Sequence, residues 1–235
     1  MSQVKRTHRM TPPQLKRVSV AAAPATAVGV RGYRIRNVAK AAERHREILA
    51  GAARAFARSG YDATNMDQIA HECGLAKGHI YHYFRGKEEI FNQIRTDQMS
   101  RAIEQLAPIV PGSSIDPELA LKKAISVTIA RVLREGGRYE QMLATPVSMG
   151  PENQKVIRTL SRRYEQMFAT ILRNGMEKRV FVAGDPKLMT FVILRGAITV
   201  ANWYREGGKW KPQWIIEQVT EQLVRSVRQP GSLRH

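Results

Sequence analysis

A short run of polar side chains in the first half of the chain is suited to contacting another molecule. The run consists of Lys77, Gly78, His79, Tyr81, His82 and Tyr83. A cation, two imidazoles and two phenols can hydrogen-bond to base edges and phosphates, and a glycine lets a backbone approach closely. In a helix these residues lie outward when Ile80 and Phe84 face inward. The chemistry that this pattern favours is DNA recognition.

The stretch Asp62–Phe91 contains the elements that would position this run. Met66, Ile69, Ala70 and Cys73 recur at helical spacing and predict one apolar stripe. Gly74 then predicts a helix end at positive φ. A second short helix follows from about residue 76 to residue 83. Two short helices joined by a tight glycine turn form a helix-turn-helix, whose second helix enters the DNA major groove.

With the preceding helix, residues Arg46–Phe91 resemble the DNA-binding domain of the tetracycline-repressor (TetR) family of bacterial regulators. Several segments agree in order and spacing: AGAARAFARSGY, TNMDQIA, KGHIYHYF and KEEIF. Two positions depart from the family pattern. Ala76 replaces the usual Ser or Thr N-cap, which weakens the start of the recognition helix, and His79 stands where Thr is common.

The resemblance implies a set of DNA-binding residues beyond the recognition helix. Thr64, Asn65 and Met66 at the start of the first short helix belong to it, with Lys87 at the start of the next long helix. We expect Lys87 and Tyr83 to hold the DNA backbone. We expect Lys77, Gly78 and His79 to face base edges.

The net charge of +18 lies mostly outside this motif. Residues 1–47 and residues 100–235 each carry nine excess positive charges, whereas residues 48–99 are balanced. Such a distribution favours a polyanionic partner, although a solvated surface tuned for solubility is the alternative. Residues 1–37 are predicted to be a mostly disordered basic arm. In that arm we expect Arg31, Arg34 and Arg36 to reach into a minor groove.

Composition limits the remaining function classes. The chain of 235 residues is 43% hydrophobic, which is enough for a real core, and it has no apolar run of membrane-spanning length. The single cysteine, Cys73, fits a reducing compartment and lies on the apolar stripe, so we interpret it as core. We expect a cytoplasmic, nucleoid-associated protein. The sequence predicts no catalytic constellation, no metal site and no cofactor.

Apolar periodicity predicts an all-α chain. The helices are expected at about 38–59, 87–106, 117–135, 139–144, 151–178, 186–204 and 212–228, in addition to the two short ones. The helix at 186–204 is apolar nearly all round, so it must be buried on several sides. In the family that the chain resembles, the last two helices form a four-helix dimer interface. A homodimer would also supply two recognition helices for two half-sites. Val192 and Ala197 are expected in that interface.

The C-terminal half is predicted to hold an effector pocket. The residues expected to line it are Met142, Tyr164, Met167, Phe168, Phe191, Arg195, Asn202 and Trp203. For each apolar residue alone, ordinary core packing is the competing interpretation. Arg195 lies in the middle of an apolar helix and is expected to be buried with a partner. That partner is a carboxylate of Glu165 or Glu140, the dimer interface, or an acidic effector.

A second resemblance concerns the identity of the effector. The segments RRYEQMFATILRNGMEKRVF and ANWYREGGKWKP are similar to the C-terminal region of TetR regulators that respond to acyl-coenzyme A thioesters. These short segments could also specify only helix ends and a turn between helices. A generic apolar effector is the main alternative to acyl-coenzyme A.

The sequence therefore predicts a two-domain, homodimeric transcriptional repressor. Residues 38–91 are expected to bind a palindromic operator, and residues 92–229 to bind the effector and form the dimer. Repression rather than activation follows from the resemblance alone. The alternative from another class is a basic protein that organises DNA without sensing a ligand.

Overall fold

The regular elements of the structure, a computed structural model, are helices, as the sequence predicts. It describes residues 38–110, 115–134 and 150–230. The helices are α1 (Val38–Ser59), α2 (Met66–Glu72), α3 (Lys77–Tyr81), α4 (Lys87–Leu106), α5 (Pro117–Leu133), α6 (Pro151–Glu177), α7 (Pro186–Ile198), α8 (Val200–Trp203) and α9 (Pro212–Arg225). The arm at 1–37, the helix predicted at 139–144 and Met142 lie outside the described residues. None of the described helices is long and apolar enough to cross a membrane.

Helix starts follow the sequence signals closely. The carboxylate of Asp116 accepts a hydrogen bond from the backbone N–H of Leu119, and Pro117 occupies the first turn of α5. Asp185 caps α7 in the same way, with Pro186 in its first turn. An acceptor at the N-cap and a proline just inside the helix satisfy or remove N–H groups that would otherwise have no partner.

The helix predicted at 186–204 is interrupted, and this is a correction. It ends at Ile198, and a short α8 begins at Val200. At the junction the backbone N–H of Asn202 bonds to the carbonyl of Thr199, a tighter i to i+3 pattern. Ile198, Thr199 and Val200 are three consecutive β-branched residues, which lose side-chain freedom in a helix.

Helix α4 belongs to two separate hydrophobic cores. Its first half contributes Ile90, Phe91 and Ile94 to a core with α1, α2 and α3. Its second half contributes Ala102, Ile103 and Leu106 to a larger core built with α5 to α9. Helix α4 has 20 residues and is about 30 Å long, and it connects the two cores.

The end of α6 is closed by a tight contact between Gly175 and Phe181. The N–H groups of Val180 and Phe181 both bond to the carbonyl of Gly175, and Arg179 has a φ of 58°. This left-handed residue just past the helix end is typical of a Schellman cap, in which glycine is the usual choice. A Cβ on Gly175 would lie 2.0 Å from the ring of Phe181, which is 2% exposed.

These contacts explain one of the segments that resemble acyl-coenzyme A regulators. The segment around Gly175 and Phe181 specifies the end of α6. The segment ANWYREGGKWKP includes Gly207, whose φ of 74° belongs to the turn between α8 and α9. Both segments therefore have structural roles, and neither by itself identifies a ligand.

An ion-pair network joins the start of α5 to the end of α9. Arg228 bonds to Glu118 through two nitrogens, and Lys122 lies 3.0 Å from Glu118 and 3.3 Å from Glu221. Partial burial would raise the pKa of Glu118. The hydrogen bonds and charges of Arg228 and Lys122 together outweigh that effect and hold the pKa below its ordinary value. The network therefore stabilises the fold at neutral pH and weakens as acid protonates the carboxylates.

Gly175→Ala should destabilise the fold, because the new methyl group has no room beside Phe181. We expect a loss of roughly 1–3 kcal/mol in the free energy of unfolding, typical of overpacking, measured by urea denaturation. Gly78→Ala is the matched control, because a Cβ at Gly78 would meet no atom within 4 Å. Equal stabilities for the two variants would contradict the tight contact.

Candidate nucleic-acid interface and ligand cavity

Helices α1 and α2 cross at an unusually close contact. A Cβ on Gly51 would lie 2.4 Å from the Sγ of Cys73, so only glycine fits there without a shift. Met66, Ile69 and Ala70 are buried on the apolar stripe, as predicted, and Cys73 is partly buried at the end of α2. Burial raises the pKa of the Cys73 thiol, which keeps it protonated at neutral pH. Its role in packing is therefore consistent with the prediction.

The turn between α2 and α3 has the predicted geometry. Gly74 has a φ of 63°, and the N–H of Leu75 bonds to the carbonyl of Ala70. Ala76 supplies no side-chain cap to α3, which agrees with the weak start that the sequence predicts. Ile80 and Phe84 are buried, at 0% and 2% exposure. Their packing into the core sets the orientation of α3 and therefore of its outer face.

The start of α2 is a capping box that involves Asn65. The side-chain oxygen of Asn65 accepts hydrogen bonds from the N–H groups of Asp67 and Gln68. In return, the side-chain oxygen of Gln68 accepts a hydrogen bond from the backbone N–H of Asn65. This reciprocal arrangement fixes the first turn of α2. Asn65 remains exposed at the edge of the motif.

The outer face of α3 carries Lys77, Gly78 and His79, all exposed. The Nζ of Lys77 lies 2.8 Å from a carboxylate oxygen of Asp67, and this hydrogen bond raises the pKa of the lysine. The ring of His79 lies 6.0 Å from that of His82 at a steep angle. His79 presents its imidazole outward, and Gly78 leaves the surface beside it flat.

Tyr81, His82 and Tyr83 are only partly exposed. Tyr81 and Tyr83 pack against the core of this motif, each with part of its ring covered. Tyr81 and Tyr83 therefore combine a packing role with a partly exposed edge, and His82 is partly exposed beside them.

The side chains of two residues predicted to contact DNA are buried. Thr64 is 1% exposed, and its hydroxyl donates to the carbonyl of Gly60 at 2.6 Å. Met66 is 8% exposed and belongs to the core. Their side chains hold the turn and the stripe in place. They do not reach the outer surface.

Lys87 has an unexpected structural role. Its Nζ donates to the carbonyl oxygens of Tyr61, Asp62 and Thr64 at 3.0, 3.1 and 3.0 Å. The ammonium also lies 4.5 Å from the centre of the Tyr61 ring. Because an ammonium has three protons, these three carbonyls use its full donor capacity. Lys87 pins the loop between α1 and α2 to the start of α4, and a phosphate contact would require giving up one of these bonds.

A cavity of about 330 Å³ lies between α4, α5, α6 and α7. Three residues predicted to bind a ligand line it: Tyr164, Phe191 and Arg195. Sequence reasoning missed Arg95 and Arg131, and it assigned Glu165 only as a partner for Arg195. The cavity has three arginines and one glutamate, and Gln98, Ser161 and mostly apolar side chains complete its wall.

The other predicted ligand residues lie elsewhere. Phe168 is fully buried in the core, and Met167 packs against that core. Asn202 and Trp203 are exposed beyond the end of α7. The hydroxyl of Tyr164 bonds to that of Thr128 at 2.8 Å, which anchors its ring in the wall.

Arg195 is exposed, and the expectation that it is buried is wrong for the single chain. The outer face of α7 is uncovered, with Leu188 at 63% and Val192 at 64% exposure. Within the described residues Arg195 forms no ion pair with Glu165, although both line the cavity. Ala197, in contrast, is completely buried inside the chain.

Comparison with known families accounts for both halves of the chain. Residues 48–94 match the family described as bacterial regulatory proteins, tetR family, and residues 115–227 match the tetracyclin repressor-like C-terminal domain. The chain belongs to the TetR family. The resemblance in the helix-turn-helix is thereby confirmed, and the protein is a DNA-binding transcriptional regulator.

Individual TetR-family relatives are distant in sequence, but the matches cover most of the length of each relative. An uncharacterized HTH-type transcriptional regulator of Bacillus subtilis, YhgD, is 26% identical over 70% of this chain and 86% of its own. The fatty acid metabolism regulator protein of B. subtilis is 22% identical, and the match covers 78% of this chain and 95% of that protein. The crystal structure of AibR in complex with isovaleryl coenzyme A and operator DNA has a TM-score of 0.67 and 23% identity. This match covers 80% of this chain and 99% of that chain.

Lys87→Met should destabilise the TetR-family DNA-binding motif, because three carbonyls lose a charged donor. We expect a loss of roughly 1–3 kcal/mol, measured as the midpoint of urea denaturation. Lys123→Met, at an exposed position on α5, is the matched control and should have no such effect. Unchanged stability with weaker binding to all DNA sequences would instead support the phosphate role predicted from the sequence.

His79→Ala should alter DNA preference at one position of the operator. A good side-chain contact to a base edge contributes about 1–3 kcal/mol of discrimination. The measurement is a fluorescence-anisotropy titration of operator duplexes that differ by single base pairs. A uniform loss of affinity for every duplex would show that His79 only positions the helix.

Proposed function

We propose that the chain is a homodimeric repressor that binds a palindromic operator and is released by an acyl-coenzyme A or related apolar effector. In this proposal residues 38–91 bind DNA, and residues 92–229 bind the effector and form the dimer. The protein acts on the chromosome in the bacterial cytoplasm and has no catalytic role. The observation that carries the proposal is the outer face of α3, where Lys77, Gly78 and His79 are exposed on a well-packed scaffold.

The exposed face of α7 supports dimerisation. Leu188, Phe191 and Val192 are 63%, 39% and 64% exposed, although they belong to an apolar helix. Large exposed apolar patches mark interaction sites. Helix α7 also packs closely beside α9, where Gly196 meets Leu223. One recognition helix per chain requires a second copy to read two half-sites about 34 Å apart.

The cavity between α4 and α7 supports effector binding rather than DNA organisation alone. Its volume of about 330 Å³ is at the lower end of the range for small-molecule sites. Two of the relatives are described as a fatty acid metabolism regulator and as a complex with isovaleryl coenzyme A. The apolar acyl group of such a thioester is consistent with this volume, and the arginines of the wall suit a negatively charged group of the same ligand.

Release from DNA would follow from a shift between two arrangements of the dimer. An effector that binds one arrangement more tightly increases its population. Helix α4 is the natural connection, because it lines the cavity with Arg95, Gln98 and Met99. Gln98 also lines a groove between α4 and α1. A movement of α4 at the cavity therefore changes its packing against the DNA-binding helices.

Val192→Glu should separate the dimer without unfolding the chain. Val192 is largely exposed in one chain, so a carboxylate there is solvated in the monomer and buried without a partner in the dimer. We expect dimerisation to weaken by at least about 2 kcal/mol, measured by sedimentation equilibrium. The alternative site Ala197 is unsuitable, because a glutamate there would disrupt the core of the single chain.

Val156→Glu is the matched control, because Val156 is 38% exposed on α6. Both variants are then tested on DNA sites selected from a random duplex library. The proposal requires a shared palindrome in the wild-type selection and its loss for Val192→Glu alone. Selected DNA without a common sequence would favour the DNA-organising alternative. A dimer that survives Val192→Glu would show that the interface lies elsewhere.

A further inference from the structure

Arg95 is the cavity residue whose surroundings are the most unusual. It is partly buried on α4 and lines the cavity of about 330 Å³. Its guanidinium lies 5.8 Å from the centre of the Phe91 ring. Among residues 38–110, 115–134 and 150–230, it has no hydrogen-bond or ion-pair partner.

Several other arginines of the described chain form ion pairs with carboxylates. Arg54 and Arg58 pair with Glu72 at 3.1 and 2.8 Å, and Arg228 pairs with Glu118. Glu165 lines the same cavity as Arg95 without approaching it to ion-pair distance. Arginines outnumber carboxylates among the residues that line the cavity, by three to one.

A partly buried cation without a counterion is costly. Burial alone lowers the pKa of the Arg95 guanidinium, and no carboxylate offsets this effect. A neutral apolar ligand would displace the remaining water and increase the cost. A ligand with a negatively charged group would instead form charge-assisted hydrogen bonds with the guanidinium, which are stronger than neutral ones.

We propose that Arg95 binds the negatively charged group of the effector, which is therefore an amphipathic anion and not a neutral apolar molecule. This inference rests on the proposed function and narrows its effector class. Both Arg95 and Arg195 line the cavity, but Arg95 is partly buried on α4, whereas Arg195 is exposed on α7. The apolar part of the ligand packs against side chains such as Leu194 and Ile198.

The position of Arg95 also connects ligand charge to DNA binding. Arg95 follows Phe91 by one helical turn, and Phe91 is fully buried in the core with α1, α2 and α3. A ligand bound to Arg95 therefore acts on α4 directly beside the DNA-binding motif.

Two fluorescent probes that differ in one charged group test this inference. The anionic probe is 8-anilino-1-naphthalenesulfonate, and its neutral counterpart is N-phenyl-1-naphthylamine. We expect the wild-type protein to bind the sulfonate roughly tenfold or more tightly than the neutral probe, as for a charge-assisted contact. Equal affinities, or a preference for the neutral probe, would overturn the inference without the use of any variant.

Arg95→Met should remove the preference for the sulfonate and leave the affinity for the neutral probe unchanged. Arg173→Met is the matched control, because Arg173 is exposed on α6 and does not line the cavity. Arg95→Lys keeps a cation and should give an intermediate preference. If Arg95→Met retained the wild-type preference, the anion would bind elsewhere and Arg95 would have no role in its recognition.

Displacement of the sulfonate probe then identifies the source of the negative charge. The competitors are octanoate, octanoyl-coenzyme A and methyl octanoate. Stronger displacement by octanoate indicates a carboxylate, and stronger displacement by the thioester indicates phosphate. Equally strong displacement by the neutral ester would contradict the inference. Operator binding of the wild type, measured without any probe, tests the proposed function separately.

Discussion

The rest of the structure depends on the sharing of one helix between two cores. Ile90, Phe91 and Ile94 fix the first half of α4 among the DNA-binding helices, and its second half is buried in the C-terminal bundle. Close packing holds α4 at both ends. The cavity of about 330 Å³ and the groove facing α1 are both lined by α4.

The DNA-binding motif is held together by polar contacts as much as by its small core. Lys87 supplies three hydrogen bonds to the loop before α2, and Asn65 supplies two more at the start of α2. The bonds of Lys87 satisfy carbonyl groups of the loop, and the bonds accepted by Asn65 satisfy N–H groups in the first turn of α2, where no partner within the helix exists. The orientation of the outer face of α3 thus depends on residues whose side chains are buried or bind the backbone.

The sequence predicted the helices well where local chemistry determines their ends. The starts predicted at residues 117 and 186 are those of α5 and α7, where a proline follows an aspartate cap, and Gly74 forms the predicted turn before α3. The sequence could not predict which faces would be covered. Arg195 was expected to be buried because α7 is apolar nearly all round, yet the same pattern arises when one side of a helix is exposed in the single chain and suited to a partner.

Thr64 and Lys87 carry polar groups typical of DNA contacts, and their use inside the fold depends on loop geometry that residue spacing does not reveal. Arg95 was missed because a single charge on α4 acquires meaning only from the cavity beside it.

The three tryptophans of the chain lie together at one corner of the molecule. Trp203 and Trp210 meet edge to face at 6.2 Å, and Trp210 stacks on Trp214 at 5.7 Å. All three are between 42% and 46% exposed, and the chain has no others. The intrinsic tryptophan emission of the protein therefore reports on the region between α8 and α9 alone. A change at α3 alters this emission only if it reaches this corner. Tryptophan emission therefore measures, without a label, whether a change at the DNA-binding end is transmitted to the region between α8 and α9.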